Sequence, residues 1–362
     1  MSQTIRNGLT LLTLAGLAAG SQAQWVGTSI HPGGNFSAAY GASNGIALGN
    51  SGTNISNAGY WTNSGSTFTS LHNNDWTSSI AYAGNMNMQV GGVQNPGNIH
   101  AARWFGTIAS FEDMNPTRAS HSEAVTAFGT KFAGWAAIGG ENRGLLWHGG
   151  GNDDYTDLTP SWAVGSSIYG MDGSQLVGYV SDANFNSYAG YWTDTADSFV
   201  DLTPMGADGA STVAVAAGRQ GGKAMMPGQS EHAYLWSGTA ASGVDLHPDG
   251  FEMSEVNGMS TSYQVGATYF METNLHSHAA FWSSTKNSWV DLHPYLTPGF
   301  MNSEATSVVE YADRIEVYGF AQREFLGDDR FAVMWTMPVP EPGSFVALAL
   351  GLGCLLKRKR RA

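Results

Sequence analysis

At 362 residues with a net charge of −13, the chain is long enough for a sizeable core and too acidic to grip a nucleic-acid backbone, which needs clustered Lys and Arg. Its single cysteine, Cys354, excludes a disulfide framework and leaves the body of the chain without thiol catalysis or thiolate metal sites. Apolar residues at 42%, charged residues at only 12% and 47 glycines give the profile of a turn-rich all-β protein, not that of a disordered chain.

The N-terminus reads as a secretory signal over residues 1–23. Arg6 supplies the positive start, Leu9 to Ala19 form a short apolar stretch, and Ser21-Gln22-Ala23 offers small residues where a signal peptidase reads. Cleavage is expected between Ala23 and Gln24, so the chain is expected to be exported.

Residues 24–337 repeat. A tetrad ending in tryptophan returns seven times, at Trp61, Trp104, Trp147, Trp192, Trp236, Trp282 and Trp335, in steps of 43, 43, 45, 44, 46 and 53 residues. Nine or ten residues after a Trp comes a second landmark: Asp113-Met114-Asn115-Pro116, Asp157-Leu158-Thr159-Pro160, Asp201-Leu202-Thr203-Pro204, Asp245-Leu246-His247-Pro248 and Asp291-Leu292-His293-Pro294. In the first unit it has decayed to Ser70-Leu71-His72-Asn73, and Ser29-Ile30-His31-Pro32 carries it with no tetrad ahead. A Ser/Ala-rich stretch follows, then a Val/Gly-rich one such as Gln89-Val90-Gly91 or Gln264-Val265-Gly266. Gly, Asn, Pro and Ser punctuate these short segments, as strands joined by tight turns require.

Four strands in about 44 residues, repeated, is the unit of a β-propeller blade. The ends are in complementary phase. Trp25 to Asn57 lacks the Trp strand, and Arg330 to Thr336 supplies it. Six whole units and one split unit predict seven blades, with the ring closed by N- and C-terminal strands. An open β-solenoid is the alternative, but it has no use for a split unit. The step from Trp282 to Trp335 is lengthened around Tyr295 to Ser303 and Glu310 to Arg314.

Residues 338–362 end the chain. Pro340-Glu341-Pro342 precedes a short apolar run, Phe345 to Leu356, and then Lys357-Arg358-Lys359-Arg360-Arg361. The run is short for a full membrane span, and the basic tail should stay cytoplasmic. The segment resembles the PEP-CTERM sorting signal. That resemblance implies transient membrane anchoring in a Gram-negative-type bacterium, processing by an exosortase-type protease, and association with exopolysaccharide and biofilm matrix. Within the body, Glu231-His232-Ala233-Tyr234-Leu235-Trp236 followed by Val244-Asp245-Leu246, and Ser277-His278-Ala279-Ala280-Phe281-Trp282 followed by Val290-Asp291-Leu292, resemble the HAF-type extracellular repeat. This implies secretion and a propeller-like body with no shared catalytic residues. Pro-based turns stand here where that family has Gly-Gly.

The repeat residues admit two readings each. The Trp set could stack sugar rings, but one copy in every unit fits packing between sheets better. The Asp set could ring cations, but an Asp before Pro more simply caps a turn. His31, His72, His247 and His293 share one repeat position, and His100, His232 and His278 another. Equivalent positions lie on one circle, and imidazoles would meet on a metal only if they faced the channel. Asp182 to Asn186 starts like an EF-hand, but Ser187 and Thr193 stand where Gly and Glu are needed. The acidic turn Gly150 to Asp154 is the one place where a surface calcium could sit; no other cofactor is expected. Gly41-Ala42-Ser43-Asn44-Gly45 spells G-x-S-x-G but lies between two β segments, without the helix that motif needs.

The sequence therefore points to an exported cell-surface or matrix repeat protein, not an enzyme, with a binding or structural role. The alternative is a carbohydrate-active enzyme or lectin on the same ring. It requires exposed aromatics on one face and unpaired carboxylates in or beside the channel.

Overall fold

The computed structural model describes residues 24–43, 45–270, 276–323 and 329–339, and these form a seven-bladed β-propeller. Each blade is a four-stranded antiparallel sheet. The inner strands are Phe36–Ser43, Ser78–Gly84, Ala119–Phe128, Gly165–Asp172, Gly209–Ala216, Met253–Met259 and Asn302–Glu310. Each packs against the next, and the last packs against the first. The Val/Gly stretch forms the second strand of each blade, the Trp tetrad the third, and the Asp-Leu landmark the short outer strand.

The inner hairpin of every blade has the same defect. A register shift falls between Ala39 and Gly41, Ala81 and Ala83, Ala124 and Thr126, Ile168 and Gly170, Thr212 and Ala214, Val256 and Gly258, and Ala305 and Ser307. The bulge draws the inner strand's backbone onto the second strand. A Cβ on Gly49, Gly91, Gly134, Gly178, Gly222, Gly266 or Gly319 would lie 1.9–2.0 Å from an inner-strand carbonyl oxygen. Only glycine allows that approach, which accounts for the repeated Val-Gly pattern.

The core lies between blades, not within them. Seven apolar clusters form, one at each blade junction. The repeat tryptophans Trp61, Trp104, Trp147, Trp192, Trp236, Trp282 and Trp335 are the largest side chains buried there, each at most 1% exposed. The landmark residues Ile30, Leu71, Met114, Leu158, Leu202, Leu246 and Leu292 are buried beside them. Each donates its backbone N–H to a third-strand carbonyl at 2.8–2.9 Å, pinning the outer strand to its blade.

Ring closure differs in phase from the sequence reading. The split blade takes three strands from the C-terminal end, Asn302–Glu310, Arg314–Gln322 and Arg330–Pro338, and one from the N-terminal end, Val26–Ser29. That outer strand pairs Val26 with Thr336 and Ser29 with Val333. The stretch from Phe36 to Asn57 belongs to the first blade instead. The reason is that the Trp landmark ends the third strand, so a sequence unit counted from it straddles two blades. The lengthened last step is absorbed partly by the closing blade's nine-residue strands and by a short 3₁₀ turn at His293–Tyr295.

Gly178→Ala should lower stability by about 2 kcal/mol or more, because the new methyl meets the Ser167 carbonyl. Gly209→Ala, with its nearest neighbour 3.9 Å away, should stay within about 0.5 kcal/mol. Denaturant titration of both variants checks this; equal losses would contradict the close-approach argument.

Candidate functional site

Around the ring, one hydrogen-bonded relay joins blade to blade at six of the seven junctions. A side-chain oxygen at the end of the outer strand accepts the N–H of the residue two further on. This holds for Asp113 with Asn115, Asp157 with Thr159, Asp201 with Thr203, Asp245 with His247 and Asp291 with His293, at 2.8–2.9 Å. Ser70 and Ser29 do the same for His72 and His31. The capped residue then meets a serine on the next inner strand: Asn115 with Ser122, Thr159 with Ser166, His247 with Ser254, His293 with Ser303, His31 with Ser37 and His72 with Ser79. Each serine hydroxyl accepts a third-strand N–H of the preceding blade, for example Ala233 to Ser254 and Ala332 to Ser37. In the fifth blade Ala210 replaces the serine, and the Thr203 hydroxyl takes the Ala189 N–H directly.

The relay absorbs the histidines and aspartates that repeat. His100, His232 and His278 bind the second carboxylate oxygen of Asp113, Asp245 and Asp291 at 2.8–2.9 Å. His232 stacks on His247 at 3.8 Å, and His278 on His293 at 4.1 Å. Burial, and then the stacked neighbour, holds His247 and His293 below the usual imidazole range. No group of three or more His, Asp, Glu or Cys is arranged to hold a metal among the described residues. In the acidic turn, Asp153 accepts the Thr117 N–H and hydroxyl, and Asp154 accepts the Gly150 N–H. Gly41 to Ser43 end a strand, and the next element is the strand Ile46–Gly52. Gln24 lies exposed at the start of the described residues, whereas Ala23, Pro340, Glu341 and Pro342 lie outside them.

All seven inner strands line a cavity of about 250 Å³ on the ring axis. The seven bulged residues are Tyr40, Tyr82, Val125, Tyr169, Val213, Asn257 and Thr306. One residue earlier but one, the seven carbonyls that face the glycines belong to Ala38, Ile80, Glu123, Ser167, Ser211, Glu255 and Glu304. Three glutamates thus occupy a position that is small or apolar elsewhere in the ring. Glu255 and Glu304 stand on neighbouring inner strands. The sequence held the signal for them, since each follows the serine of its Ser/Ala stretch, but only the ring brings them side by side on one face.

Their environments differ. Glu255 accepts the Tyr269 hydroxyl at 2.8 Å and the Lys223 ammonium at 3.3 Å, and Lys223 also binds Glu231 at 2.7 Å. Burial works against the charge on Lys223, but the two carboxylates outweigh it and hold that group above its usual value. Burial, then the neighbouring Glu255 charge, pushes Glu304 up to about 7. Glu123, buried near Tyr82, is raised as well. This face thus presents one ion-paired carboxylate beside one that can hold a proton at neutral pH.

No protein-family model matches the sequence, and no curated protein matches it. Among solved structures, TolB from Acinetobacter baumannii is 11% identical with a TM-score of 0.46, covering 85% of this chain and 65% of its own. A putative TolB from Agrobacterium tumefaciens is 11% identical with a TM-score of 0.47, covering 76% and 94%. A puromycin hydrolase is 7% identical with a TM-score of 0.40, covering 81% and 59%. The likeness is one of fold.

The two sets of groups predict opposite pH limbs. Glu304 has a folded value above its ordinary 4.5, so stability falls as pH rises from about 4.5 to about 7. Glu304→Gln should remove that fall, which is at most about 3 kcal/mol. His247 and His293 have folded values below 6.5, so their contribution is full above that pH and lost as pH drops. His247→Asn with His293→Asn, copying Asn115, should flatten this acid limb. Denaturation from pH 4.5 to 8 reads both; a Glu304→Gln effect that is independent of pH contradicts the first assignment.

Proposed function

We propose that this chain is an exported propeller of the bacterial envelope that acts by binding, with exopolysaccharide as its ligand class. The observation carrying this reading is where the sevenfold pattern breaks. Repeat Trp, His and Asp residues are taken up by packing and the blade-to-blade relay. Four polar side chains that do not repeat, Lys223, Glu231, Glu255 and Glu304, gather on the face where the inner strands begin. A half-buried set of donors and acceptors on one face of the ring suits a hydroxyl-rich ligand. Export rests on residues 1–23, and the exopolysaccharide link on the resemblance of residues 338–362 to the PEP-CTERM signal. Among the described residues no helix is long and apolar enough to cross a membrane.

One observation favours a second reading, a glycoside-cleaving enzyme. Two neighbouring carboxylates with environments that push their proton affinities apart are the pattern of an acid paired with a carboxylate. The two readings separate on turnover. Soluble bacterial exopolysaccharides should raise the melting temperature of the chain without releasing reducing ends. Reducing-end release that disappears in both Glu255→Gln and Glu304→Gln would instead make the chain a hydrolase.

A further inference from the structure

On the face where the inner strands begin, a cavity of about 280 Å³ opens between the fourth and fifth blades. Phe185, Asp208, Ser211, Lys223, Met225 and Glu231 line it. We propose that this cleft is a neutral-saccharide subsite, with Phe185 as its stacking platform and Trp162, outside the cleft on the same face of the ring, as a second contact for a longer chain. The proposal rests on the glycan reading above and places the sugar contact away from the channel axis.

Phe185 is the first reason. It is 83% exposed, so it adds nothing to the core. Its φ is 63°, a region where Gly or Asn would sit without strain. The loop is nevertheless tightly held. Asp182 accepts the N–H groups of Asn184 and Asn186 at 2.8 and 3.0 Å, the Asn186 side-chain amide at 2.8 Å and the Tyr188 hydroxyl at 3.2 Å. The Phe185 N–H donates to the Asp182 carbonyl at 2.9 Å. A fixed loop thus displays an aromatic ring in a conformation that costs energy, an arrangement typical of functional sites.

Trp162 is the second. It lies outside the repeat set and is 53% exposed. Its ring stands edge-on to Tyr188 at 5.8 Å and tilts against Phe199 at 5.9 Å, which sets its orientation. Tyr188 donates its hydroxyl to Asp182, and so links the Trp162 contact to the loop that carries Phe185. Both belong to loops on the face where the inner strands begin.

The floor of the cleft selects the ligand. A pyranose has an apolar C–H face for an aromatic ring and a rim of hydroxyls for polar side chains. Asp208, Ser211 and Glu231 supply acceptors and a donor hydroxyl. The one cation, Lys223, is already paired with Glu231 and Glu255. No free positive charge remains on the floor for an acidic polymer, and the carboxylates oppose an anionic lipid surface.

The test uses the full chain and four neutral hexasaccharides: cellohexaose, laminarihexaose, mannohexaose and chitohexaose, titrated by calorimetry. At least one should bind, and Phe185→Asn and Trp162→Ala should each weaken it tenfold or more. Melting temperatures should be unchanged for Trp162→Ala and unchanged or higher for Phe185→Asn, because Asn accepts the backbone conformation. Binding that survives both variants but fails in Glu304→Gln overturns the subsite and leaves the broader function standing. No binding to any hexasaccharide or exopolysaccharide overturns both. Sedimentation with phosphatidylglycerol vesicles that is lost in Phe185→Asn would make the two aromatics membrane contacts and also overturn the subsite.

Discussion

Seven glycines on seven second strands carry the architecture. Each faces an inner-strand carbonyl at a distance no side chain tolerates. Without that approach the inner strand could not bulge, and without the bulge its twist and its axis-facing residue would change. The bulge also sets which residues precede it, so the serine of the relay and the residue between serine and bulge have fixed places. The channel, the blade-to-blade bonds and the acidic face all descend from this one contact.

The relay adds specificity to an apolar interface that would otherwise slide. Buried Trp and Leu fix how much surface the blades share, but they do not fix register. A serine hydroxyl accepting a backbone N–H from the neighbouring blade does, because a missed bond would leave a buried donor unpaired. His, Asn and Thr all serve at the middle position, since each has a polar atom at similar reach. That interchangeability explains why the landmark tolerates variation there while keeping Asp or Ser two residues before.

Blade number and closure were legible because they depend on period and on the two ends, both visible in the chain. Blade phase was less so. The Trp marks the strongest recurrence, but a recurrence has no preferred starting point, and only pairing shows that Phe36–Ser43 opens a blade. The role of the histidines was hidden for a related reason. Their serine partners, such as Ser254 for His247, lie six to ten residues on and across a blade boundary. Glu255 and Glu304 were unremarkable as letters; their contrast comes from burial and from each other, and neither is a local property. Phe185 was passed over because an EF-hand test judged its loop by oxygen ligands, while the loop's peculiarity is a backbone angle.

The closing strand also sets an order of events. Val26–Ser29 is the first of the ring's strands to be made, yet its partner, Arg330–Pro338, is the last of them. Six blades are each built from contiguous chain, but the seventh needs both ends. A chain stalled anywhere before Arg330 keeps an unpaired four-residue strand at one end and an open junction at the other. Completeness of synthesis is thus written into the topology, and a truncated product is marked by an unfinished ring.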